Sequence, residues 1–135
     1  MTKYNVLSIL FLIIVGLSWV MNFGLLKFIF LIPMIFHAIL FYFSNRSYHR
    51  NTNKSSRTMF LINSCIYGTY LLGYILLPDG GETKDSLRVL FGFINNEQFI
   101  NIATVVSGIL LVANLALIII QIIYTVTVKL QNKNI

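Results

Sequence analysis

The 135-residue chain is 57% hydrophobic and only 10% charged, and ten Lys and Arg against four Asp and Glu give a formal net charge of +6. Soluble domains carry charge on about a quarter of their residues, so the composition speaks against a water-soluble domain and for a single unit solvated by a lipid bilayer. The basic residues flank apolar runs instead of interleaving with polar and aromatic groups, which argues against a nucleic-acid partner and suits contact with anionic lipid headgroups.

A helix needs about 20 apolar residues to cross roughly 30 Å of hydrocarbon, because every backbone group must be paired within it. Four segments meet that requirement. The first covers residues 4–21; Lys3 ahead of it has the look of a signal-peptide start, but the run contains no small-x-small cleavage site and reads as a retained helix. The second covers 25–43 and follows after only Asn22-Phe23-Gly24, so the two form an antiparallel hairpin, with Lys27 placed to snorkel to the outer interface. Pro33 lacks an N–H and clashes with the preceding turn, which releases the carbonyl of Ile29 and predicts a bend. The third segment, 58–77, is closed by Pro78. The fourth, 99–128, is longer than the hydrocarbon requires, and Asn95 and Gln98 stand before it at capping-box spacing. Between these two lies an outer loop that begins with the turn residues Pro78-Asp79-Gly80-Gly81. Leu87, Leu90, Phe91 and Ile94 then recur at helical spacing, which predicts a short amphipathic helix on the membrane surface.

Orientation follows from the Lys and Arg of the flanks, since cytoplasmic loops hold the excess. Seven fall on one side: Lys3, Arg46, Arg50, Lys54, Arg57, Lys129 and Lys133. The other side holds Lys27, Lys84 and Arg88 together with all four acids, Asp79, Glu82, Asp85 and Glu97. Both termini are therefore expected in the cytoplasm, with the chain in the plasma (inner) membrane. Trp19, Tyr4, Tyr42 and Tyr48 stand near the ends of the spans, where amphipathic rings favour the headgroup zone.

Ionisable residues within a span are costly and functional by default, and the four apolar cores contain no Asp, Glu, Lys or Arg. This argues against a proton-coupled exporter driven by an embedded carboxylate. His37, one turn after Pro33, is the one titratable group near the spans, and it either contacts a solute or bonds to a neighbouring helix. Asn63, Tyr67, Tyr70 and Tyr74 form a polar and aromatic stripe on the third segment. Ser64 with Gly68, and Thr69 with Gly73, give small-residue pairs that let helices approach closely. On the fourth segment Ser107, Asn114 and Gln121 recur at intervals of seven, with Leu111, Ile118 and Thr125 in the same seam, the pattern of a left-handed packing face. His37, Asn63, Asn114 and Gln121 are thus the candidate residues of a polar path or of helix packing.

No catalytic, cofactor or metal site is legible, and no enzyme is expected. A haem on His37 would need a second axial ligand from a facing helix, and His49 falls in the basic loop, where a solvated role is expected. Cys65 is the only cysteine, and Asp79, Glu82 and Asp85 do not match the ligand spacing of an EF-hand. The expected fold is all-α: a polytopic transmembrane four-helix bundle with both termini inside and a short interfacial helix in the outer loop. The expected function is that of a small accessory factor, of an assembly or immunity type, which docks its helices and outer loop on a membrane-protein partner. A homo-oligomeric channel or carrier for a small solute is the alternative.

Overall fold

The computed structural model describes residues 3–51, 57–78 and 87–133. Among these the chain forms five helices and no strand: α1 (Lys3–Met21), α2 (Leu25–Ile29), α3 (Leu31–Asn51), α4 (Arg57–Ile75) and α5 (Glu97–Lys133). Two of them, α4 and the Glu97–Asn132 part of α5, are long and apolar enough to cross a membrane by length and composition. The described apolar stretch of α1, Asn5–Met21, falls just short of that criterion.

The second expected span is divided at Phe30. Helical bonding persists on both sides, with Phe28 N–H donating to the Gly24 carbonyl at 2.9 Å and Met34 N–H to the Phe30 carbonyl at 3.0 Å. The division places Pro33 in the first turn of α3, where a missing N–H removes no helical bond. Beyond the apolar part, α3 continues through Ser44 to Asn51, so Tyr48 and His49 belong to a helix.

α5 packs along α4 and α3, and α1 packs along the same two helices. The core where they meet contains Val15, Trp19, Phe41, Ile66, Tyr67, Tyr70, Tyr74 and Ile118. Trp19 and Tyr48 are 3% and 2% exposed, so these two rings pack inside the bundle. Lys27 does not snorkel outward either: it is buried, with Nζ 5.9 Å from the centre of the Trp19 ring, within cation–π range.

The amphipathic helix expected over Leu87 to Ile94 is absent. Val89 and Ile94 form an antiparallel bridge, with Val89 N–H donating to the Ile94 carbonyl at 2.9 Å. Between them Leu90, Phe91 and Gly92 take φ of 51°, 60° and 86°. Three successive left-handed residues cannot continue a right-handed helix, and the two bearing a Cβ cost about 1–2 kcal/mol each. Burial of Val89 against Ile100 and Ala103, with Leu76, Leu87 and Ile94 around it, offsets that strain. The same apolar spacing therefore serves a tight turn. The turn is tied to α1 by Asn22 Nδ2, which donates to the Arg88 carbonyl at 2.7 Å. The acidic residues Asp79, Glu82 and Asp85 lie outside the described residues.

The cap of α5 stands one residue later than the spacing suggested. Asn96 Oδ1 accepts from Phe99 N–H at 3.0 Å while its carbonyl accepts from Ile100 N–H, which makes Asn96 the N-cap.

The small residues of α4 differ in their surroundings. A Cβ at Gly68 would meet nothing within 4 Å, whereas one at Gly73 would stand 2.8 Å from Leu111 Cδ2 and 3.0 Å from Cγ. Gly68→Ala should raise stability in detergent by about 0.5–1 kcal/mol through helix propensity, and Gly73→Val should lower it by about 1–3 kcal/mol through overpacking. Thermal unfolding of the two variants checks the contrast, and equal effects would refute the close approach of α4 to α5.

Candidate functional site

The helices bury polar side chains among their apolar core and leave many large aliphatic ones exposed. On α5 the buried positions Ile100, Ala103, Ser107, Asn114, Ile118, Gln121 and Thr125 follow heptad spacing, with Leu111 partly buried in the same row. Ile102, Val105, Ile109, Val112, Ile119, Ile123 and Val126 on the remaining faces are all exposed. Most of the apolar surface of α5 is thus left outside the bundle.

His37, Tyr74 and Asn114 form the first of two polar clusters. Asn114 Nδ2 donates to the Ile66 carbonyl at 2.7 Å and to Thr69 Oγ1 at 2.8 Å. These two acceptors fix the amide, so Asn114 Oδ1 must accept from His37 Nε2–H, 2.8 Å away. A neutral imidazole then presents Nδ1 as an acceptor, and Tyr74 O–H donates to it at 2.8 Å. Donor and acceptor order along Tyr74, His37, Asn114 and the Ile66 carbonyl is thus set by one backbone group.

The second cluster joins Asn45, Gln121, Asn63 and His49. Asn45 Nδ2 donates to the Phe41 carbonyl at 2.8 Å, which turns Oδ1 toward Gln121. Gln121 Nε2 donates to Asn45 Oδ1 at 3.2 Å and to Asn63 Oδ1 at 2.8 Å. Asn63 Nδ2 in turn donates to His49 Nε2 at 3.3 Å. His49 is therefore half-buried and in contact with the core, not part of a solvated loop. A further pair, Ser8 Oγ and Tyr67 OH at 2.7 Å, binds α1 to α4.

A layer of aromatic and aliphatic side chains lies between the two clusters. Phe41 and Tyr70 stack with ring centroids 4.0 Å apart and planes 10° from parallel. Ile66 and Ile118 are buried in the same core, at 0% and 1% exposure. The four residues selected from the sequence thus fall into two pairs, His37 with Asn114 and Asn63 with Gln121, and the pairs do not touch each other. Sequence reasoning missed Asn45 and His49 as partners because both lie past the apolar stretch. Asn45, eight residues after His37, lies about 80° round the helix from it and extends the same stripe, whereas His49, twelve residues on, lies about 120° round and carries no such signal.

A cavity of about 400 Å³ lies beside the first cluster, with His37 and Tyr74 in a wall otherwise made of Trp19, Pro33, Leu111 and other uncharged residues. Among the described residues no three His, Cys, Asp or Glu side chains gather to hold a metal ion. Comparison of the chain with protein-family models, with curated proteins and with solved structures gave no match.

His49 lies beyond the apolar part of α3, near the end of the helix. Burial pushes its imidazole from 6.5 down to about 4, because charge is costly away from water. The neutral form also supplies the acceptor that Asn63 uses, and protonation would set two donors face to face. A depressed folded-state pKa of a base means that the unfolded chain binds the proton first as pH falls. Stability is therefore complete above about 6.5 and is lost as pH drops toward about 4. Unfolding in detergent between pH 7 and pH 4 should show this decline, and His49→Gln should flatten it.

Proposed function

We propose that the chain is a small multi-pass protein of the plasma (inner) membrane, a four-helix bundle with both termini cytoplasmic. It acts as an accessory factor, of an assembly or immunity type, by docking on a membrane-protein partner. The observation that carries this reading is the inverted polarity of α5, with amides and hydroxyls in the buried seam and aliphatic residues on the faces outside it. Helices in hydrocarbon gain little from hiding apolar surface and associate through packing and interhelical hydrogen bonds. Most of the hydrogen bonds of the two clusters run between α3, α4 and α5, which is the chemistry of adhesion between helices.

The outer turn supports docking by a different route. Its left-handed backbone holds Phe93 out at 79% exposure, next to the shielded Val89. A large exposed ring on a strained turn is a natural contact for a partner. The alternative, a homo-oligomeric channel or carrier, needs a continuous polar path through His37, Asn114, Gln121 and Asn63. The stacked Phe41 and Tyr70 stand across that path within one chain.

Gentle purification of the tagged full chain from its native membrane, with every co-purifying protein identified, tests the reading. A stoichiometric membrane partner is expected, with less retained by Phe93→Ala. A homogeneous homo-oligomer whose liposome flux is abolished by Asn114→Leu or Gln121→Leu would overturn it in favour of the carrier. Orientation is tested separately by a Ser47→Cys probe in a Cys65→Ser background, which is needed because Cys65 is itself exposed. The probe should resist an impermeant thiol reagent in intact cells, and labelling there would reverse the topology.

A further inference from the structure

The polar part of α3 beyond its apolar stretch carries Arg46, Ser47, Arg50 and Asn51. These four line a cleft of about 520 Å³ together with Lys129 of α5, and Phe43 borders the same cleft. We propose that this cleft binds the phosphate-bearing headgroup of an anionic glycerophospholipid, with the acyl chains leaving past Phe43.

Three cationic side chains share one concave surface and no carboxylate lines it. Among the described residues the only acid is Glu97, which opens α5. Lys129 stands 32 residues further along that helix, roughly 48 Å away at 1.5 Å per residue. The cleft therefore gathers like charges that repel until an anion enters. Its polar groups are arranged to receive one. Arg46 Nη1 donates to Tyr42 OH at 3.4 Å, which steadies the guanidinium and leaves other N–H groups of the fork for phosphate oxygens. Asn51 Nδ2 donates to the Ser47 carbonyl at 2.8 Å and to Ser47 Oγ at 3.3 Å. Ser47 Oγ thus acts as an acceptor there, which still leaves its own proton to offer to a further acceptor.

The order along α3 selects a lipid over a free phosphate. Phe43 is 58% exposed and stands one turn before Arg46, with Arg50 a further turn on. Apolar contact first and charge second is the order in which a phospholipid presents chain and headgroup. A free anion would use the charges alone. This inference rests on the membrane reading above but not on a protein partner, and it is tested on the isolated chain, so its failure would leave the accessory role standing.

The experiment is native mass spectrometry of the full chain in detergent, titrated with phosphatidylglycerol, with phosphatidylcholine and with inorganic phosphate. Phosphatidylglycerol should be retained in preference to phosphatidylcholine, and inorganic phosphate should not displace it. Each of Arg46→Gln, Arg50→Gln and Lys129→Gln should lower the preference by roughly fivefold. Arg57→Gln removes an exposed charge outside the cleft lining and serves as the control, with circular dichroism confirming that every variant stays helical. Equal retention of the two lipids, or an equal loss from Arg57→Gln, would replace a built site with diffuse charge attraction and overturn the proposal. Displacement by inorganic phosphate would overturn the lipid as ligand.

Discussion

The amide of Asn114 is the contact on which the arrangement of helices turns. From one side chain on α5 it accepts a hydrogen bond from His37 of α3 and gives two to α4, at the Ile66 carbonyl and at Thr69. Away from water such groups have few alternative partners, and a buried donor or acceptor left unsatisfied costs about 1–3 kcal/mol. Three helices are thus held in one rotational and axial register by a residue with no freedom to flip. Apolar packing alone would not define that register, because an aliphatic surface in a lipid is much like the lipid itself.

Gln121 repeats the device two turns along α5, bridging Asn45 of α3 and Asn63 of α4. The stacked rings of Phe41 and Tyr70 between the two clusters keep each network local. This separation bears directly on function. Polar residues on facing helices can line a route for a solute or tie helices together, and the outcome depends on whether they form one column. Here the stacked rings stand between the two clusters, and α5 is left with aliphatic faces outside its polar seam.

Charge is segregated in the same way. Arg46, Arg50, Arg57 and Lys129 stand beyond the apolar parts of their helices, while Glu97 opens α5 at its other end. Placement of this kind sets orientation in a bilayer and draws anionic headgroups to one face. Lys27 departs from the pattern by lying inside, over the Trp19 ring. The division of the second apolar run at Phe30 accompanies this, since the short α2 need not follow the line of α3.

Composition and periodicity by themselves determined that the chain is helical, that Asn63, Tyr67, Tyr70 and Tyr74 share a face of α4, and that Ser107, Asn114 and Gln121 share one of α5. Those facts follow from 3.6 residues per turn and need no neighbour. The division of the second run was legible at Pro33, because a missing N–H is a local property. Only the tertiary structure decided which polar residues meet, since the pairing of His37 with Asn114 and of Gln121 with Asn63 depends on the axial stagger of separate helices. It also decided the outer turn, where the spacing of Leu87, Leu90, Phe91 and Ile94 fits a helix as well as a loop. Burial of Val89 against Ile100 and Ala103 outweighs the local preference there, and long-range packing of that kind leaves no periodic trace in the sequence.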